Sequence, residues 1–320
     1  MKDKGREETD IKLKELEKEL AEIYGQANKE LVQKMEKYFK DFRRKDEAKR
    51  RKLENGEITD EEYKRWRHGQ LAVGNRWIAM CDTIATDMNN VNNIARSTAQ
   101  GYMPEVYAIN HNWGTYSVEN GARINTNYTL YNAQVVERLM QDDPDIMPLA
   151  SKGLNSVKDI AWNRKVINSV MLQGILQGES IEKMAKRFEQ VGVSNYKSSV
   201  RYARTAITGA ENAGRIDSYH RAQQLGIKLK KVWLATLDGR TRDSHRDMDG
   251  EEQEVDDTFS NGCEHPGDPS GPPSEVWNCR CTLITKVDGQ QLDVSDLTQR
   301  DHKLGSMSYE EWKVNHDGKR

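Results

Sequence analysis

Residues 231–250 have the sequence KVWLATLDGRTRDSHRDMDG, and residues 275–285 have the sequence EVWNCRCTLIT. Val, Trp and Leu in residues 228–236 predict a β-strand, and residues 282–287 predict its antiparallel partner in a small sheet. The residues between these two runs are polar and rich in Gly and Pro, which is typical of a loop. This part of the chain therefore predicts a small β module that carries a long polar loop.

The composition indicates that the rest of the chain is helical and well exposed to solvent. Of the 320 residues, 36% are hydrophobic and 31% are charged, which is lean for one globular core. Basic residues slightly outnumber acidic ones before residue 231, whereas residues 231–320 are acidic. The net charge of -2 is too small to indicate a nucleic-acid-binding protein by itself.

Hydrophobic periodicity predicts two long helices in the N-terminal part. Apolar residues at helical spacing predict the first over residues 8–54, and Asn55-Gly56 ends it. The sequence TDEE at residues 59–62 has the form of a capping box and predicts the start of a second helix, which extends to about Ala99. The two helices would form a hairpin. Pro, Gly and Asn predict a loop over residues 101–125, whose aromatic side chains would contact the helices.

Further periodic segments predict shorter helices over residues 128–140, 158–177, 180–191, 196–225 and 308–314. Gly192 is expected to end the third of these, and the small residues of the fourth permit close helix packing. The predicted fold class is mainly α with a small C-terminal α+β module. The predicted divisions are an N-terminal arm with its hairpin and aromatic loop (1–126), a helical body (127–227), the β module (228–287) and a polar tail (288–320).

Targeting signals and cysteine usage predict the compartment. The N-terminus has no apolar signal-peptide core, and no apolar run is long enough to span a membrane. The cysteines do not form a secreted disulfide framework, because Cys81 lies far from the other three. We therefore expect a protein made in a reducing cytoplasm, with no membrane partner, in which Cys279 and Cys281 are thiols or metal thiolates.

Cys279-Arg280-Cys281 is the sharpest local feature of the loop and its flanks. In an extended chain residues i and i+2 point to the same face, so the two sulfurs would converge. Two further ligands would complete a tetrahedral zinc site, and His245, Cys263 and His265 are the candidates. The predicted ligands of this structural zinc are His245, Cys263, Cys279 and Cys281. The spacing matches no standard zinc finger, and the alternative is a pair of buried thiols at a strand end.

The aspartates near His245 suggest a second alternative, a metal-dependent nuclease or other DNA-processing enzyme. Asp238, Asp243, Asp247 and Asp249 would supply its carboxylates. The same residue types are also typical of turns, and Asp238-Gly239 is a hairpin signal. The sequence contains no P-loop, nucleophile elbow, HExxH motif or dinucleotide fingerprint. We therefore expect no enzymatic activity.

The stretch WLATLDGRTRDSHRDMDG, followed by an acidic loop and PPSEVWNCRCTL, resembles the C-terminal module of the phage Mu F-like minor head proteins, or phage head morphogenesis proteins. The sequence VRYARTAITGAENAGRIDSYHRA at residues 200–222 resembles the helix that precedes this module. ITDEEYKRW and YMPEVYAIN resemble segments of longer members. The positions that match the module are Trp233, Asp238, Arg240, Arg242, His245, Gly250, Asn278, Cys279, Arg280 and Cys281.

This resemblance implies a minor capsid protein that associates with the portal protein during procapsid assembly and influences DNA packaging or ejection. It implies a location in the head interior or at the portal vertex of the virion. The major capsid or scaffolding protein and the packaged DNA are further candidate partners. The resemblance implies no catalytic activity, although related modules are also fused to toxin domains. Cys263 and His265 are not part of the family pattern, whereas His245, Cys279 and Cys281 are.

Overall fold

The structure is a computed structural model that describes residues 3–71, 75–143, 147, 156–177, 179–288 and 307–317. Its elements follow in the order α1 (Lys4–Glu54), α2 (Asp60–Leu71), α3 (Asn75–Ala122), α4 (Ala133–Asp142), α5 (Ser156–Leu176), α6 (Ile181–Gln224), β1 (Leu229–Leu234), α7 (Asp243–Asp247), β2 (Glu252–Glu254), α8 (Pro273–Val276), β3 (Thr282–Val287) and α9 (Tyr309–Asp317). The mainly α fold class with a small C-terminal sheet is confirmed.

The capping box at the start of α2 is confirmed. The Glu62 carboxylate accepts a hydrogen bond from the Thr59 backbone N–H at 2.8 Å, and Thr59 Oγ1 accepts one from the Glu62 N–H at 3.2 Å. Together they satisfy two N–H groups that the first turn of a helix cannot satisfy itself. Gly56, with a φ of 73°, reverses the chain between α1 and α2. Residues 72–74, inside the predicted second helix, lie outside the described residues.

The predicted loop over residues 101–125 is wrong, because α3 continues through it to Ala122 and contains Pro104. Proline inside a helix removes one hydrogen bond and crowds the preceding turn. Here the helix also buries Tyr107, Trp113 and Tyr116, the side chains that were expected to anchor a loop. Burial of these large side chains outweighs the local preference of Pro, Gly and Asn for a loop, since tertiary packing supplies most helix stability.

The predicted helix break at Gly192 is also wrong, because α6 is continuous from Ile181 to Gln224. A Cβ atom at Gly192 would lie 1.9 Å from Asn28 Oδ1. The glycine therefore permits a close approach of α1 to α6 rather than ending the helix. Gly214 has a similar role, since a Cβ atom there would lie 2.4 Å from the Tyr107 carbonyl oxygen on α3. The predicted close packing of this small-residue helix is confirmed at that position.

The chain forms two compact units, and each combines separate segments of sequence. The first contains Met1–Glu17, Ser97–Ser151 and Arg201–Arg320, and the second contains Lys18–Arg96 and Lys152–Val200. The four consecutive divisions derived from the sequence stay a prediction. Residues 144–146 and 148–155 of the predicted body, and residues 289–306 and 318–320 of the predicted tail, lie outside the described residues.

The second unit packs its helices around an apolar core that contains a chain of buried polar side chains. Leu20, Leu31, Met88 and Phe188 are among the buried core residues. Tyr24 donates to Asn92 at 2.5 Å and lies 2.7 Å from Ser199 Oγ. Asn92 donates to Asn195 at 2.8 Å, and Asn195 donates to Asn163 at 3.1 Å. These hydrogen bonds offset part of the cost of burying the polar side chains.

The first unit contains a three-stranded antiparallel sheet in the order β2-β1-β3. The predicted pairing of β1 with β3 is confirmed, with Val232 opposite Ile284 and Trp233 opposite Leu283. β2 was not predicted, because three residues of the sequence EQE show no apolar alternation. Trp233 and Leu283 lie on the sheet face that packs with Tyr219 of α6 in one core cluster.

An aromatic cluster holds the C-terminal helix in the first unit. Tyr309 and Trp312 of α9 pack with Trp113 and Tyr116 of α3 and with Tyr128. Trp312 also donates its indole N–H to the buried Glu119 carboxylate at 2.6 Å. The helix predicted over residues 308–314 is therefore confirmed. Its apolar side chains have a defined partner surface, which explains why so short a helix is stable.

A buried network of four charges links the start of α1 to α6 and β3. Arg215 donates to both carboxylate oxygens of Asp3, at 2.8 and 2.9 Å, and to the Leu283 carbonyl at 2.8 Å. Arg6 donates to Glu211 at 2.5 Å, and Thr282 donates to the other oxygen of Glu211 at 2.7 Å. Asp3, Glu211 and Arg215 are 0% exposed. The two positive and two negative charges balance, as burial requires.

Arg215→Met should lower the free energy of unfolding by about 3–5 kcal/mol, because it leaves buried carboxylates without their cation. Urea unfolding followed by circular dichroism measures this loss. Arg204→Met is the matched control, since Arg204 lies on the same helix and pairs with Glu17 through side chains that are 35% and 28% exposed. It should cost about 0–1 kcal/mol. Equal losses in the two variants would contradict a dominant role for the buried network.

Candidate metal centre

His245 lies on the short helix α7 and is buried, with 2% of its surface exposed. Its ring meets the edge of Trp233 at a centroid distance of 5.3 Å and an angle of 81°. Gly250 follows this helix with a φ of 84°, and its N–H donates to the Trp233 carbonyl at 2.8 Å. This left-handed turn is a conformation that glycine adopts readily. It returns the chain to β1 and keeps His245 against the sheet.

Cys279 and Cys281 lie between α8 and β3, and both are buried. Asn278 precedes them with a φ of 60°, in the left-handed region that asparagine tolerates better than most residues. Cys279 Sγ lies 3.7 Å from His245 Nδ1, and Cys281 Sγ lies 3.3 Å from the same nitrogen. The predicted convergence of the two sulfurs with His245 is therefore what the structure shows.

These three residues form a compact group of donor atoms. The imidazole nitrogen and the two sulfurs all lie within 4.8 Å of one another. On the other side of the ring, His245 Nε2 lies 3.1 Å from Glu275 Oε2. Glu275 also accepts a hydrogen bond from Ser244 Oγ at 2.9 Å. Sequence reasoning missed Glu275, because its position in the acidic loop does not distinguish it from the acids around it.

The two thiols titrate very differently. The neighbouring Cys279 thiol lowers the pKa of Cys281, and His245 adds to this effect against the opposing effect of burial. Burial raises the pKa of Cys279 well above its usual value. A thiolate beside an imidazole is also the arrangement of a nucleophilic cysteine. Cys281 is only 2% exposed, however, and burial of this kind favours ligand or packing roles over attack on a substrate.

Helix α6 holds the backbone of the Cys-Arg-Cys segment through a row of polar side chains. Thr205 Oγ1 accepts the Asn278 N–H at 2.9 Å, and Thr208 Oγ1 donates to the Cys279 carbonyl at 3.0 Å. Asn212 accepts the Leu283 N–H at 2.8 Å. Sequence reasoning missed this row. The sequence does indicate it, because the helical spacing of Thr205, Thr208, Asn212 and Arg215 places these four polar residues on one face of the helix.

Cys263 and His265 lie outside this group. Cys263 is buried, and a Cβ atom added to Gly271 would lie 2.5 Å from its sulfur. Burial raises the pKa of the Cys263 thiol to about 12. His265 Nδ1 lies 3.0 Å from the Pro266 carbonyl oxygen. Of the four predicted metal ligands, the structure thus brings three together and places Cys263 in the packing of the loop.

The aspartates expected for a nuclease do not converge on His245. Asp238 accepts two hydrogen bonds from Arg280, at 2.5 and 2.7 Å, and Asp249 accepts the Ala235 N–H at 2.8 Å. Asp243 and Asp247 are exposed on α7. Within the described part of the chain, the only group of three or more such side chains close enough for one metal ion is His245, Cys279 and Cys281.

The remaining motif positions have structural contacts. The Arg280 side chain points away from the sulfurs. Its hydrogen bonds to Asp238 lower the pKa of that carboxyl group. The Arg240 N–H donates to Asp238 at 2.8 Å, while the Arg240 side chain is 78% exposed. Arg242 donates to the Trp277 carbonyl. Asp238, Arg240 and Arg280 also line a groove of about 410 Å³ together with Arg6 and Lys14 of α1.

Lys231 holds the polar loop onto the sheet. It is fully buried on the core face of β1, two residues from Trp233. Its ammonium group donates to the carbonyl oxygens of Val255 and Glu264, at 2.8 and 2.9 Å, and burial lowers its pKa. A charged group that is buried in this way is stable only when it forms hydrogen bonds with protein acceptors. The loop supplies the acceptors, so strand and loop stabilise each other.

Lys231→Met should lower the free energy of unfolding by about 1–3 kcal/mol, because two buried carbonyl groups lose their donor. Amide hydrogen exchange should accelerate in residues 255–264. Lys230→Met is the control, since the neighbouring Lys230 side chain is 46% exposed and pairs with Glu254 on the surface. Hydrogen exchange with mass spectrometry measures both variants. The same exchange pattern in the two would show that Lys231 does not hold the loop.

Comparison with known proteins finds similarity to phage proteins. Residues 165–284 match the family model described as Phage Mu protein F like protein. The chain is 26% identical over 281 residues to Minor head protein GP7 of Bacillus phage SPP1, covering 86% of this chain and 83% of that protein. No solved structure matches the chain. No helix in the described residues is long and apolar enough to cross a membrane.

Two further relatives are longer proteins. The chain is 32% identical over 225 residues to NAD(+)--arginine ADP-ribosyltransferase EFV of Enterococcus faecalis, which covers 68% of this chain and 43% of that protein. It is 27% identical over 179 residues to an uncharacterized protein of Haemophilus influenzae, covering 54% of this chain and 37% of that protein. The chain therefore spans less than half the length of these two relatives.

Proposed function

Because this chain belongs to the phage Mu F-like family of head morphogenesis proteins, we propose that it is a minor head protein that associates with the portal during procapsid assembly. The observation that carries the proposal is its similarity to the SPP1 minor head protein over 83% of that protein's length. The family match at residues 165–284 covers the β module up to Ile284, inside β3. The proposed location is the head interior or the portal vertex of the virion.

The proposed role is structural rather than enzymatic. The aspartates near His245 are bound to Arg280 and Ala235 or lie exposed on α7, which supports this proposal. The Enterococcus relative has the name of an enzyme, but this chain spans only 43% of the length of that protein. The motif residues of the module instead make contacts that fix the backbone of the loop, and such a rigid module suits a protein that binds other assembly components.

Contacts with the packaged DNA and an influence on its packaging or ejection form part of the same proposal. Arg44, Lys45, Arg51 and Lys52 are exposed near the end of α1. Exposed basic side chains of this kind bind phosphate groups without sequence preference. Acidic residues lie among them, so we expect this contact to be weak and secondary to protein partners such as the portal and the major capsid or scaffolding protein.

Deletion of the gene from the phage that encodes this chain should leave proheads that form but yield fewer infectious particles. Supplying the intact chain from a plasmid should restore the titre. The chain should also co-sediment with proheads that contain the portal and not with proheads assembled without it. Electron microscopy and plaque assays measure these outcomes. A normal titre after deletion, or equal binding to proheads without a portal, would overturn the proposal.

Purified protein should not cut DNA. Incubation with supercoiled plasmid in the presence of Mg²⁺, Mn²⁺ or Zn²⁺ should leave the plasmid intact, because no cluster of carboxylates in the described residues can hold a catalytic metal beside His245. The His245→Ala variant is the control for contaminating nucleases. Nicking by the wild-type protein that disappears in this variant would show that the chain is an enzyme.

A further inference from the structure

The distances from His245 Nδ1 to the two sulfurs match those between ligands of one tetrahedral metal ion. With a Zn–S distance of about 2.3 Å and a Zn–N distance of about 2.0–2.1 Å, tetrahedral angles place a ligand nitrogen about 3.6 Å from a ligand sulfur. The two distances from His245 Nδ1 to the sulfurs are 3.3 and 3.7 Å. They bracket the tetrahedral value without any adjustment of the backbone.

A hydrogen bond from His245 can serve only one of the two sulfurs well. A single imidazole nitrogen lies within reach of both sulfurs, but one N–H can point well at only one of them. A metal ion would bind the nitrogen and both sulfurs at once. All three side chains are buried, so solvent supplies little compensation. The Cys281 N–H also donates to Cys279 Sγ at 3.4 Å, a contact that stabilises negative charge on a sulfur ligand.

The Glu275 carboxylate lies close to the second ring nitrogen of His245. Its Oε2 lies 3.1 Å from His245 Nε2, on the side of the ring that faces away from the sulfurs. Metal-ligating histidines commonly direct their second ring nitrogen at a carboxylate, which sets the tautomer and the ring orientation. Ser244 donates to the same carboxylate at 2.9 Å. Nδ1, the other ring nitrogen, faces the two sulfurs.

We propose that His245 Nδ1, Cys279 Sγ and Cys281 Sγ bind one zinc ion, with Glu275 as a positioning residue. Two thiolates and one imidazole form a soft ligand set that suits zinc. Among the described residues the protein supplies these three ligands, since Cys263 lies outside the group. The ion would connect α7 to the start of β3 and so join the two ends of the polar loop. This inference is independent of any partner in the virion.

Metal analysis of the full chain, purified under reducing conditions from zinc-supplemented medium, tests the site. We expect one zinc per chain in the wild type and a loss of zinc in Cys279→Ser, Cys281→Ser and His245→Ala. Cys263→Ser is the matched control, because Cys263 is an equally buried thiol of the same module, and it should retain the ion. Cobalt substitution should give thiolate-to-metal charge-transfer absorption in the wild type and in this control.

Three metal-binding results would overturn the zinc site. They are a wild-type chain that takes up neither zinc nor cobalt, a chain that binds copper(I) but not zinc, and an equal loss of zinc in Cys263→Ser and Cys279→Ser. A Cys279–Cys281 disulfide under reducing conditions, seen as a mass lower by two hydrogens, would also overturn it. Circular dichroism of each metal-free variant beside the metal-free wild type separates lost ligands from failed folding.

The zinc affinity of Glu275 variants tests the positioning role of Glu275. Glu275→Ala should weaken zinc binding by about 10–100-fold in competition with a chromophoric chelator, as loss of a carboxylate behind a metal-binding histidine does. Glu275→Gln keeps an oxygen acceptor for Nε2–H and should retain more of the affinity. Both variants should still bind one zinc per chain. An unchanged affinity in Glu275→Ala would overturn the positioning role while leaving the three ligands in place.

Discussion

The ion pair between Arg215 and Asp3 is the interaction on which the first unit depends. Both side chains are fully buried, and a charge without a partner there would cost several kcal/mol. The guanidinium group bonds at the same time to the start of α1, to Asn110 of α3 and to the Leu283 carbonyl of β3. Because these segments are far apart in the sequence, one side chain on α6 fixes the relative positions of helices and sheet.

The same helix then fixes the candidate metal centre. Thr205, Thr208 and Asn212 lie on the face of α6 that carries Arg215, and they hold the backbone from Asn278 to Leu283. This backbone directs both sulfurs at His245, and Glu275 Oε2 lies 3.1 Å from the other ring nitrogen of His245. The family motif therefore marks residues that support one another. Trp233, Gly250 and Asn278 shape the backbone, and the Asp238–Arg280 pair directs the arginine away from the sulfurs.

Sequence reasoning succeeded where the local pattern and the tertiary environment agree. The capping box at Thr59 and the convergence of Cys279 and Cys281 follow from short-range geometry. The apolar patterns of β1 and β3 likewise predicted two strands, which pair in the structure. It failed at Pro104 and Gly192, where local preference favours a break but burial and close packing maintain the helix. β2 was missed because its three polar residues gain their strand conformation from hydrogen bonds to β1 rather than from their own pattern.

The sequence by itself determined the fold class, the family and three of the residues in the candidate centre. Periodicity, turn chemistry and i, i+2 spacing are local properties, so they can be recognised without coordinates. Only the tertiary structure decided that Cys263 lies outside the centre, that Glu275 lies behind His245 and that Lys231 can be buried. Each of these depends on contacts between residues distant in sequence, where burial makes a charge or thiol stable only beside a specific partner.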